Sequence, residues 1–426
     1  NPRGGETDAV DPNAKKMEPI PAAKLVEQAV NSPFRDHIAF WELGERLGAE
    51  NDPKARALER DAVRAMVAGL RDQPRGTVSS ITIADVQGNF VDYARAPRNL
   101  SMLGASPQGW GSSQDLLDTY FYWTQRRDLT ALANPQGLYW TWIPASAPAF
   151  ARSAVWGADV PPAWGAPTVQ PEQIRLYTYA ALAAGFRGLA YRGDAELTRA
   201  PGRINLIETT FLNAEVKLLE AIFAAGADPI LSLRTYPPDP VPQPVYNTSG
   251  MAQRTPSRPE VPPHPTIRAS AIQTADRRGW LLLIADYAKL SQFQPPQMAV
   301  NDLQVTVPGA PASAQAFEIS LGDVRLLDRE RIPGGTRVSL PDFGGTALVL
   351  LTSDLALVER LRAEVYRVRP RAIQLAIEQA QAQVQWASET TSRLNSMGQG
   401  VAATAGLIPR ANESLRSSQE ALARED

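Results

Sequence analysis

Apolar positions change period repeatedly between Ala22 and Gly226, and each change predicts an element. AAKLVEQAVN (22–31) has helical spacing. HIAFWELGERLG (37–48) is an apolar run with a polar exit, which predicts a strand. A helix follows from about Lys54 to Leu70, with Leu58, Ala62, Met66 and Leu70 on one face. VSSITIADV (78–86) predicts a strand ending in Asp85, and LSMLGAS (100–106) a shorter one. Ser112, Ser113, Gln114 and Asp115 then cap the helix LLDTYFYWTQRRDL, and GLYWTWIPA (137–145) predicts an aromatic strand. Pro171 and Glu172 open a helix whose apolar face runs through Ile174, Tyr177, Ala181 and Leu182 until Gly185 stops it. Gly188 to Tyr191 is a short apolar strand that runs into Arg192, Gly193 and Asp194, and NLIETTFLNAEVKLLEAIFAAG (205–226) is an amphipathic helix closed by Gly226.

Five strands alternating with helices predict βαβ units and a parallel sheet. The polar residues that end such strands lie at the edge where a β/α barrel meets its ligands. A complete barrel has eight strands, so residues 1–235 are expected to form its second half, strands four to eight. The first half would come from the same precursor or from a partner chain, because an isolated half barrel exposes unpaired edges. Residues 236–266 are too rich in Pro for helix or central strand and read as a linker or loop. Residues 267–354 alternate apolar and polar positions between Gly, Pro and Asp turns, which predicts an antiparallel β-sandwich. Beyond Leu355 the chain is rich in Ala, Gln, Glu and Arg. Helices flanking Pro370, and another near Asn412, predict a hairpin or bundle that packs against a partner and makes the protein oligomeric.

Composition narrows the chemistry. A net charge of −2 speaks against a nucleic-acid partner, and no apolar run is long enough to predict a membrane span. With no Cys and only His37 and His264, thiolate or imidazole metal sites and Ser-His-Asp catalysis lack material, so neither metal nor cofactor is expected. Carboxylates, hydroxyls, Arg and aromatic rings remain. His37 starts a strand and is expected to be structural.

The segment AAGFRGLAYRGD, with Trp41-Glu42-Leu43-Gly44-Glu45-Arg46 before it, resembles the barrel of (β/α)8 glycoside hydrolases. The likeness is to large secreted bacterial proteins related to β-galactosidases. It implies an acid/base after strand four, in a motif W-x-x-x-N-E, and a nucleophilic Glu ending strand seven. Here Glu45 stands where the Asn belongs and Arg46 where the acid belongs. The strand-seven segment 139–145 has no acid, and none follows before Asp159. The resemblance therefore implies a glycosidase-derived barrel with a degraded catalytic pair, binding a polysaccharide or serving as a structural part of an extracellular, periplasmic or envelope assembly. An active retaining hydrolase using Glu42 or Glu45 as acid/base is the alternative; a purely architectural envelope subunit is another. Trp41, Asp85, Trp140, Trp142, Tyr191, Arg192 and Asp194 are the candidate ligand contacts. Each has a bland counterpart: Glu42 and Glu45 can pair with Arg46 or Arg192, and Trp140 and Trp142 can pack in a core as well as stack on a sugar.

Overall fold

The computed structural model describes residues 22–74, 79, 81–88, 100–107, 115–131, 137–147, 169–193, 197, 202–226, 229–237, 263–288, 299–398, 400 and 406–424. The chain partitions into two compact units. One comprises Asn1–Ser113, Thr119–Thr168 and Ala184–Arg192, the other Gln114–Asp118, Val169–Ala183 and Gly193–Asp426.

The first unit holds the five-stranded parallel sheet that the alternation predicts. Its strands are β1 (Trp41–Glu42), β2 (Thr82–Asp85), β3 (Met102–Gly104), β4 (Leu138–Pro144) and β5 (Gly188–Arg192). They lie in sequence order, each parallel to the last. That order is the half-barrel arrangement. His37 falls in a short 3₁₀ turn, Arg35–His37, ahead of β1.

Helix α1 (Ala22–Val30) packs on α2 (Pro53–Arg71), which starts where Asp52 accepts the Lys54 amide at 3.0 Å. The buried stripe of α2 is Val63, Val67 and Leu70, whereas Leu58 is 72% exposed and Ala62 also faces out. The expected face is thus rotated. The cause is Gly69: a Cβ there would lie 2.9 Å from Val26, so α1 approaches α2 on that side. Helix α3 (Leu116–Ala131) is fixed to the sheet by Trp123, whose buried Nε1–H donates to the Ala105 carbonyl at 2.9 Å and to Thr141 Oγ1 at 3.2 Å.

The second unit contains α4 (Pro171–Ala183), α5 (Gly202–Leu218) and α6 (Glu220–Ala225). Its nine-stranded antiparallel sheet comprises β6 (Ile230–Tyr236), β7 (Ile267–Gln273), β8 (Gly279–Asp286), β9 (Val300–Pro308), β10 (Gln315–Ile319), β11 (Val324–Leu327), β12 (Arg329–Ile332), β13 (Gly335–Phe343) and β14 (Thr346–Thr352). Where alternation predicts two stacked sheets, hydrogen bonding is continuous in the order β11-β10-β14-β8-β7-β6-β9-β13-β12. Strand β6 makes the continuity. A register shift between Ile230 and Leu233 bends it, so that it pairs with β7 along its length and with β9 at Thr235 and Tyr236. Both halves close on one core that includes Leu282, Ile284, Leu303, Val305, Val338 and Leu340.

Helix α4, the predicted prelude to β5, belongs to this second unit and packs on α5, β8 and β14. From Gln173 to Ala183 every residue but Arg175 is buried. Helix α7 (Leu355–Ser396) runs unbroken through Pro370, where sequence predicts two helices. Asp354 caps it by accepting the Leu357 amide at 3.1 Å, and burial of Val358, Leu361 and Val365 before the proline and Leu375 after it offsets the lost backbone bond. Helix α8 (Leu407–Ala423) packs back on α7 as the expected hairpin. Among the described residues no helix is long and apolar enough to cross a membrane, and no group of side chains could hold a metal ion.

Candidate ligand site at the carboxyl edge of the parallel sheet

Residues in register on parallel strands share a face, and alternate residues along one strand return to it. Asp85 pairs with Gly104, Gly104 with Trp140, and Trp140 with Gly188. Glu42 pairs with Ile83, two residues before Asp85, and Trp142 follows Trp140 by two. Glu42, Asp85, Trp140, Trp142 and Arg192 therefore project from one face, at or beside the strands' carboxyl ends. Thr141 takes the other face, toward Trp123 of α3. Tyr191, in register with Ile143, also falls on that second face and is separated from the group. Trp41 is drawn elsewhere: its Nε1–H donates to the Ser79 carbonyl at 2.9 Å, and its ring packs with Val26, Ala29 and Leu70. Asp194 lies outside the described residues.

Local sequence explains how so large a ring fits. Trp140 has glycine on both neighbouring strands. A Cβ on Gly104 would lie 2.7 Å from the Trp140 ring, and one on Gly188 would lie 2.6 Å from Trp140 Cβ. The indole lies over bare backbone, 3% exposed. Trp142 stands against it edge to face, ring centroids 5.4 Å apart at 73°. Both indole N–H groups are buried with no hydrogen-bond partner among the described residues. An unsatisfied buried donor costs about 1–3 kcal/mol, so two side by side are an unusual feature for a structural core.

Asp85 is 3% exposed and accepts the Ser106 amide at 3.0 Å. Ser106 Oγ in turn accepts the Trp142 amide at 3.3 Å. Burial raises the Asp85 pKa; the Ser106 amide and hydroxyl and the Arg46 amide hold it down, while the Glu45 charge adds to the rise. Arg46 itself adopts a left-handed φ of 53°, a strained state for a side chain with a Cβ, and its guanidinium bonds Gln87 at 2.8 Å. The Glu42 pKa is also raised, first by partial burial, then by Glu45 and Asp85, against the pull of Arg192. Arg192 approaches Glu45 at 3.7 Å and lies 6.0 Å from the Trp142 ring centroid. Tyr122 on α3 completes the surroundings: burial raises its phenol pKa, Arg126 lowers it and Asp85 raises it again.

The site thus brings together Glu42, Glu45, Asp85, Trp140, Trp142 and Arg192. The sequence does not single out Ser106 or Tyr122, and it makes Arg46 a partner for Glu42 or Glu45 where its guanidinium bonds Gln87 instead. Ser106 had a usable signal, since it ends a predicted strand as Asp85 does; Arg46 and Tyr122 act through backbone geometry and helix placement that no spacing encodes.

No protein-family model and no curated protein matches the chain. Solved structures resembling it are glycoside hydrolases with a (β/α)8 fold. A family 36 α-galactosidase from Geobacillus stearothermophilus is 11% identical with a TM-score of 0.36, covering 80% of this chain and 40% of that one. A variant of that enzyme in complex with 1-deoxygalactonojirimycin gives 12% and 0.35 over the same shares. A family 51 α-L-arabinofuranosidase from Bifidobacterium longum is 13% identical with a TM-score of 0.38, covering 79% and 74%. The chain therefore spans 40% of the α-galactosidase's length, and no residue role is carried over from these neighbours.

Proposed function

We propose that the chain is a saccharide-binding protein on a glycosidase-like half barrel that does not keep a hydrolytic carboxyl pair. One observation carries the reading: the Trp140–Trp142 corner holds two buried N–H donors with no partner among the described residues, on the face that holds Asp85 and Glu42. Sugars offer what this corner accepts, an apolar C–H face for an indole and hydroxyls for N–H and carboxylate. Strand β4, whose end should carry a nucleophile, contains no acid. We place the protein outside the cytoplasm, with α7 and α8 as its assembly surface. Calorimetric titration against a panel of neutral, amino and acidic oligosaccharides should give saturable binding that Trp142→Ala abolishes, with no release of aglycone from aryl glycosides. Absence of binding across the panel would overturn the reading.

A catalytic reading has one observation in its favour, the raised pKa of Glu42, which suits a carboxyl that holds a proton for a leaving group. Hydrolysis of aryl glycosides that disappears in Glu42→Gln or Glu45→Gln would establish it in place of the binding reading.

A further inference from the structure

The mouth is chemically lopsided. Three carboxyl groups, Glu42, Glu45 and Asp85, influence one another there, and among the described residues the cation acting on Glu42 is the guanidinium of Arg192. The other cations nearby are committed elsewhere: Arg46 to Gln87, and Arg126 to the Gly88 carbonyl at 2.9 Å and the Tyr122 ring at 5.0 Å. Arg192 is loosely held. Its side chain is 63% exposed, its 3.7 Å approach to Glu45 is too long for a hydrogen bond, and 6.0 Å to the Trp142 centroid is the outer limit of a cation–π contact.

Resting on the saccharide reading, we infer that the site is selective for a sugar bearing a protonated amine, whose ammonium displaces Arg192 from between Trp142 and Glu45. The same two partners that hold the guanidinium weakly, an indole and a carboxylate, are the usual partners of an organic ammonium. A neutral sugar would occupy the aromatic corner and leave the carboxylates to repel one another. A uronic acid would add to that repulsion. The buried Trp140 Nε1–H is an independent mark of a ligand, since it asks for an acceptor that the described protein does not supply and that a hydroxyl beside the amine can.

Three β-1,4-linked hexamers, of glucosamine, glucose and N-acetylglucosamine, share a backbone and differ in charge. Titrated at about pH 6 with tryptophan fluorescence as readout, the glucosamine hexamer should bind at least about tenfold tighter than the other two, one ion-pair-sized increment. That preference should largely vanish in Glu45→Gln, and Arg192→Gln should tighten the glucosamine hexamer a few-fold relative to the glucose hexamer. Equal affinities for all three would overturn the amine selectivity and leave saccharide binding intact. A preference that survives both Glu45→Gln and Glu42→Gln would mark adventitious polycation binding and overturn it too. Hexalysine bound as tightly as the glucosamine hexamer, or no hexamer bound at all, would overturn the saccharide reading itself.

Discussion

Around Arg175 in the second unit the buried charges answer one another, whereas around Asp85 in the first unit partners run out among the described residues. Arg175 Nε meets Glu208 at 2.7 Å and its Nη1 meets both oxygens of Glu215 at 2.8 and 2.9 Å. The second Glu208 oxygen accepts from Gln379 of α7 at 3.0 Å, and Glu215 also accepts from Tyr179 at 3.1 Å. Burial pulls the Arg175 pKa down, but Glu215 and Glu208 together drive it well above its ordinary value, so it stays charged. Burial raises the Tyr179 phenol pKa, and Glu215 adds to the rise. A cavity of about 480 Å³ has this network in its wall, Arg175, Glu208, Glu215 and Gln379 lining it with Glu172 and Phe211. The mouth of the parallel sheet has the opposite character, with two indole donors unanswered by the described residues and two carboxyls held at raised pKa. A satisfied buried polar network rigidifies the helices that share it, whereas a buried polar group without a partner is costly.

Three measurements test that contrast, the largest effect first. Arg175→Met leaves Glu208 and Glu215 buried without their cation and should cost about 3–5 kcal/mol in urea unfolding followed in the second unit. A loss under about 1 kcal/mol would mean the network is not the clamp its geometry describes.

Next come two buried tryptophans of the first unit. Trp123→Phe removes an indole that donates to both Ala105 and Thr141 and leaves the Ala105 carbonyl with the Thr141 hydroxyl at 3.1 Å, so a loss of about 1–3 kcal/mol is expected. Trp140→Phe removes a donor with no partner among the described residues and should be milder by at least about 1 kcal/mol. Equal losses in thermal denaturation would show that Trp140 Nε1 is satisfied after all.

The smallest effect concerns pH. A carboxyl whose folded pKa lies above its unfolded value withdraws stability as pH rises from that unfolded value through the folded one. Asp85→Asn should therefore leave stability little changed in acid, where both states are protonated, and become relatively stabilising as pH rises toward neutrality. A variant uniformly destabilised from acid to neutral pH would place the greater weight on the Ser106 and Arg46 amides that Asp85 accepts.

Much of this contrast is legible in the sequence, and the missing part has a physical cause. Alternation locates all five parallel strands, and the i, i+2 spacing of Trp140 and Trp142 already puts both rings on one face. Asp85 and Arg192 are legible because they end strands. Register between strands is invisible, however, so nothing in the sequence says that Gly104 and Gly188 flank Trp140, or that Tyr191 faces the opposite way from Arg192. Helix α2 shows the same limit: its apolar residues allow more than one stripe, and the approach of α1 at Gly69 selects Val63, Val67 and Leu70. The bend in β6 and the passage of α7 through Pro370 are likewise tertiary decisions that override local propensity. The Arg175 network is scattered over α4, α5 and α7, at spacings no motif records.

The glycine row under Trp140 also bears on timing. With its ring laid on the Gly104 backbone and Gly188 against its Cβ, Trp140 has little space in which to change rotamer. Under the saccharide reading, capture at this edge need not wait for the aromatic corner to assemble. The side chain with freedom to move is Arg192, which is exposed and reorients on the picosecond-to-nanosecond scale.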